Sequence, residues 1–91
     1  MKSLHLLISG RVQRVWYRDW MVGQARASAI DGWVRNTADG CVEALVSGEA
    51  ACVDRLVEAC RGGPERACVS GIAISPAVAP DQPGFDRIAD A

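Results

Sequence analysis

The sequence predicts an α+β fold: a ferredoxin-like βαββαβ sandwich, with two helices on one face of an antiparallel sheet. Three observations lead there. The apolar period switches between two and about 3.6 in the order strand, helix, strand, strand, helix, strand. Ninety-one residues suit one compact domain. No repeat, low-complexity tract or linker divides them, so residues 1–91 read as a single domain. Two split βαβ units of this kind close into one sheet. The architecture hosts many unrelated activities, so function must come from particular residues.

Each element has its own signal. Leu4, Leu6 and Ile8 fall on one side of an extended segment over residues 4–9. Gly10 through Val15 form a polar, doubly basic connection. From Arg18 to Ala29 the spacing turns helical, with Met21, Val22, Ala25 and Ala29 three or four apart. Gly23 and Ser28 weaken that helix, since glycine is about 1 kcal/mol worse than alanine inside one. Gly32 ends the unit and Trp33–Asn36 reads as the second strand. Asp39-Gly40 is a hairpin signal. Beyond it Val42, Ala44 and Val46 alternate with Cys41, Glu43 and Leu45, the pattern of a half-buried third strand.

Residues 49–61 return to helical spacing, with Val53, Leu56, Val57 and Cys60 along one stripe. Arg61 suits the C-terminal dipole, and Gly62-Gly63-Pro64 stops the helix. Val69, Ile72 and Ile74 mark a fourth strand over 67–75. Pro76, Pro80 and Pro83 keep the next stretch irregular, and Phe85–Ile88 leaves room for a small fifth strand.

Composition excludes several classes. Apolar residues make up 49% of the chain but aromatics only 5%, so Ala, Val, Leu and Ile must fill the core. A net charge of −1 opposes a nucleic-acid carrier, which would carry a basic domain. No run approaches the ~18 apolar residues of a membrane span. The run Leu4–Ile8 is shorter than the roughly 7–15 residues of a secretory core, and Arg11 and Arg14 follow it closely. A cytoplasmic protein without membrane contact is expected. Cys41, Cys52, Cys60 and Cys68 form no Cys-x-x-Cys pair, and one histidine leaves no zinc spacing. They read as free thiols acting as small buried hydrophobes.

Two segments carry candidate chemistry. The first is Gly10-Arg11-Val12-Gln13-Arg14-Val15-Trp16-Tyr17-Arg18, running from a strand end to a helix start. Free backbone N–H groups and the helix dipole favour an anion there. Arginine suits a phosphate because its planar fork donates two parallel hydrogen bonds. A solvated basic loop explains the composition equally well. In the second segment, Gly32 through Gly40, Asn36 ends a strand. Its amide either caps the turn or positions a polar ligand, and taken alone the turn cap is favoured. Trp33 reads as an anchor, Asp19 as favourable charge in a helix first turn, and His5 as a strand residue without a partner.

Together these segments resemble the acylphosphatase family, whose loop reads Gly-x-Val-Gln-Gly-Val-x-Phe-Arg. The family's second signature is matched by Gly32, Trp33, Val34, Arg35, Asn36, Gly40, Val42 and Gly48 at the same spacings. The resemblance spans about residues 4–88. It implies hydrolysis of a small-molecule acyl phosphate to a carboxylate and inorganic phosphate, with no metal and no cofactor. Arg18 would grip the phosphoryl oxygens and Asn36 would orient the attacking water. Backbone N–H groups of Arg11, Val12, Gln13, Arg14, Val15 and Trp16 would complete the cradle. The expected molecule is a monomer without a nucleic-acid partner. Arg14 departs from the pattern by replacing the loop's central glycine. A side chain there strains the backbone by roughly 1–2 kcal/mol if φ is positive, or reshapes the cradle. Trp16 adds bulk, Tyr17 replaces Phe, and Ser28-Ala29 replaces a common Leu-Gly. The alternative is a catalytically impaired phosphate- or partner-binding module of the same fold.

Overall fold

A computed structural model describes residues 1–91. The chain forms β1 (Lys2–Arg11), α1 (Tyr17–Ala27), β2 (Asp31–Asn36), β3 (Val42–Gly48), α2 (Ala50–Cys60), β4 (Cys68–Pro76) and β5 (Phe85–Arg87). The sheet order is β4-β1-β3-β2-β5. Its first four strands are antiparallel neighbours. The fifth differs from the expectation of a wholly antiparallel sheet, because β5 runs parallel to β2 and makes the sheet mixed. After β4 the chain crosses to the opposite edge and arrives beside β2 in the same direction.

Register decides which side chains meet the helices. Leu6, Ala44 and Val34 form one cross-strand row, and Ile8, Val42 and Asn36 the next. All the aliphatic members of these rows are buried and pack with Met21 and Ala25 of α1 and Val53, Leu56, Val57 and Cys60 of α2. The apolar stripes expected for both helices are therefore the ones used. On the sheet's other face stand His5, Trp33, Arg35 and Glu43. His5 has partners after all: its Nε2 meets Glu43 Oε2 at 2.7 Å and its ring meets Trp33 edge-on. Arg35 donates to Glu43 at 2.6 Å and lies over the Trp33 ring.

Several local expectations change. The first helix ends at Ala27, and Ala29 takes φ 54° beyond it. Ile30 N–H donates to the Ala25 carbonyl and Ala29 N–H to that of Arg26, the two bonds of a Schellman cap. That cap favours glycine at Ala29, because only glycine lacks the Cβ that opposes positive φ. The fourth strand is an edge, leaving Ile74 43% exposed. Only Cys60 is a fully buried thiol; Cys41 and Cys52 are half-buried and Cys68 is exposed. No helix is long and apolar enough to cross a membrane.

Gly32 explains how β2 can be sandwiched between two strands. It has φ 140°, and a Cβ there would stand 1.8 Å from the Leu45 carbonyl oxygen. Its N–H donates to Gly84 at 2.9 Å, which seats β5. Phe85 then buries its ring, filling a large share of a core otherwise short of aromatics.

Candidate active site

The site lies where the β1–α1 loop meets the end of β2. Gln13 fixes that meeting. Its Nε2 donates to the Thr37 and Cys41 carbonyls at 2.9 and 2.8 Å, tying the loop to the β2–β3 turn. Val12 and Val15 both bury their side chains in the hydrophobic core. Tyr17, at the start of α1, donates from its hydroxyl to the Cys60 carbonyl. Burial pushes its phenol far above the usual range and raises the neighbouring Cys60 thiol to about 11. Both groups stay neutral and hold the first turn of α1 in place. Arg18 follows directly on this anchored residue.

An open cavity of about 340 Å³ occupies the loop's outer side. Val12, Arg14, Trp16, Tyr17, Arg18, Asp19 and Arg87 line it. The loop residues divide accordingly. Val12, Arg14 and Trp16 reach the cavity, while Arg11 ends β1, Gln13 braces the loop and Val15 packs inward. Arg14 has φ 62° and Trp16 φ 65°, so the glycine-like conformation survives at Arg14 despite its side chain. The loop is strained there. Asp19 sits in the first turn of α1, as expected, and also receives Arg87 at 2.6 Å.

Arg18 and Asn36 converge on one atom. Asp90 Oδ1 accepts from Arg18 Nη1 at 2.9 Å and from the Asn36 backbone N–H at 3.3 Å. A carboxylate oxygen thus occupies a seat formed by a guanidinium and a backbone donor. Such donors also fit a phosphoryl oxygen. The tail reaches this point by following β2, with Ile88 N–H on the Val34 carbonyl and Ala91 N–H on that of Asn36.

Thr37, and not Asn36, caps the turn. Its Oγ1 accepts from Cys41 N–H and donates to Asp39, whose carboxyl is held below its ordinary range chiefly by that bond. The Asn36 amide is released from the capping role that its position favoured. Its Oδ1 is buried without a hydrogen-bond partner. Buried acceptors are nearly always satisfied, so one that is not points to a group it has yet to receive.

The acylphosphatase family model matches residues 4–87. The chain belongs to the acylphosphatase family. It is 53% identical over 87 residues to the acylphosphatase of Rhodospirillum rubrum, covering 96% of each chain. It is 54% identical over 85 residues to that of Acidiphilium cryptum, covering 93% of each. Its structure is similar to an acylphosphatase from Coxiella burnetii at a TM-score of 0.91 and 31% identity, covering 96% of this chain and 92% of that one. The family's fold is the two-helix sandwich described above. Asp90 and Arg87 are the site residues that the family's motifs did not bring forward. Arg87 ends β5 and Asp90 lies in the tail beyond it, and no local pattern shows that either reaches this site.

Proposed function

We propose that the protein hydrolyses acyl phosphates to a carboxylate and inorganic phosphate, without a metal ion. The seat shared by Arg18 and Asn36 carries this reading, because it already holds one anionic oxygen. In the reaction Arg18 binds phosphoryl oxygens in place of Asp90, and N–H groups of the strained loop from Arg11 to Trp16 add to its field. Preorganised donors of this kind stabilise charge as it develops in the transition state. Phosphoryl transfer needs positioning and charge more than covalent help.

The orphan Oδ1 of Asn36 supports its role with water. A water donating one hydrogen to this oxygen turns a lone pair toward phosphorus. The water oxygen forms the new P–O bond as the bond to the acyl oxygen breaks, and the acyl group leaves as a carboxylate. Asn36 is no base, so the water's proton passes to a phosphoryl oxygen and remains on the product phosphate. The carboxylate is a good enough leaving group to need no acid.

Hydrolysis of benzoyl phosphate in oxygen-18 water with chelator present tests the route. The label is expected in phosphate and not in benzoate. Asn36→Ala is expected to lower kcat by about 10²–10³, the range for loss of one positioned transition-state contact, with little change in inhibition by inorganic phosphate. Label in benzoate, or equal losses of kcat and phosphate binding, would contradict it.

A further inference from the structure

Trp16 violates three folding preferences at once. Its φ of 65° is strained for a residue with a bulky side chain. It occupies the N-cap of α1, where Ser, Thr, Asp or Asn would bind a free N–H, and it makes no such bond. Its indole is 73% exposed, between a buried Val15 and a buried Tyr17. Neither a side-chain cap bond nor burial offsets these penalties. Strain that packing leaves uncompensated is a mark of functional positions.

The exposed indole also has a definite place, the wall of the cavity that contains Arg18. Asn36 is not part of that wall. In-line displacement puts the leaving group opposite the attacking water. With the water on the Asn36 side, the acyl group extends into the cavity, toward Trp16. Arg18 there is taken by the phosphoryl group and Arg87 is paired with Asp19, so neither guanidinium is free for the acyl group. The indole is the large apolar surface left for the acyl group to touch.

We infer that Trp16 is a specificity-determining residue, a platform on which a planar aromatic acyl group stacks, selecting aryl over small aliphatic acyl phosphates. This rests on the proposed placement of the phosphoryl group at Arg18. Offset stacking or edge contact between two rings is the chemistry involved.

Stable phosphonates separate this inference from catalysis. Dissociation constants for phenylphosphonate and methylphosphonate are measured by calorimetry on wild type, Trp16→Gly, Trp16→Phe and Trp16→Leu. Glycine adopts the positive φ freely, so the loop keeps its path in Trp16→Gly. Wild type is expected to bind phenylphosphonate about tenfold more tightly, the upper range of an aromatic pair. The preference is expected to persist in Trp16→Phe and to fall to about twofold or less in Trp16→Gly and Trp16→Leu. Equal affinities in wild type, or an undiminished preference in folded Trp16→Gly, overturn the inference while leaving the phosphoryl site standing. Should Trp16→Gly fail to fold, an undiminished preference in Trp16→Leu overturns it. Wild type binding neither phosphonate removes the phosphoryl site, and the inference with it.

Discussion

At the scale of single residues, three side chains sit where glycine fits better; besides Trp16 these are Ala29 and Arg14, which do so for different reasons. Ala29 closes the Schellman cap of α1 with φ 54° and touches no functional group. Ala29→Gly is expected to stabilise the protein by about 1 kcal/mol, seen as a rise of roughly 4–8 °C in the melting midpoint. Arg14, at φ 62°, carries the same strain beside the cavity and makes no ion pair. Arg14→Gly is expected to gain a similar stability while weakening phosphate binding, since an unpaired cation leaves the cavity rim. A midpoint that does not rise in either variant would show that the strain is relieved elsewhere.

At the scale of elements, the tail after β5 and the β1–β3–β2 face make separate predictions. On the proposed reading, Asp90 competes with a phosphoryl oxygen for the seat at Arg18. Exposed ion pairs are worth about 0–1 kcal/mol, and Asp90 is 55% exposed. Asp90→Asn is therefore expected to tighten inorganic phosphate inhibition about two- to fivefold. Weaker inhibition would instead make Asp90 the group that aims Arg18. On the other face, Glu43 is held below its ordinary pKa, first by the hydrogen bond from His5 and then by Arg35, against an opposing effect of burial. A depressed folded-state pKa stabilises the fold above the unfolded value of 4.5, and the contribution disappears as pH falls through the folded one. Denaturant titrations are expected to show Glu43→Gln less stable than wild type at pH 7, with the gap closing in acid. A gap independent of pH would mean that lost packing, not charge, is responsible.

For the whole molecule, the alternation of periods was enough to order the elements, because each amphipathic stripe has only one core to face. The rows Leu6–Ala44–Val34 and Ile8–Val42–Asn36 are that pattern folded. What escaped the sequence is what depends on chain path. No local signal says that β5 lands parallel to β2, and so none says that Arg87 and Asp90 reach the mouth of the β1–α1 loop. Asn36 was ambiguous for a related reason: Thr37 competes for the same turn, and only the fold shows which residue caps it. The side-chain amide of Gln13 braces the anion loop against the turn, a contact between distant residues that no local pattern announces. The His5–Glu43 contact joins residues far apart in sequence and was likewise invisible.

The central claim is that Arg18 holds the phosphoryl group of an acyl phosphate. Its most direct test is the release of benzoate and phosphate from benzoyl phosphate, with chelator, by wild type and by Arg18→Ala of unchanged circular dichroism. Loss of at least about 10²-fold in kcat/KM is predicted, the scale for removing one preorganised charge-stabilising donor. A folded Arg18→Ala protein that keeps most of the wild-type rate would contradict the account.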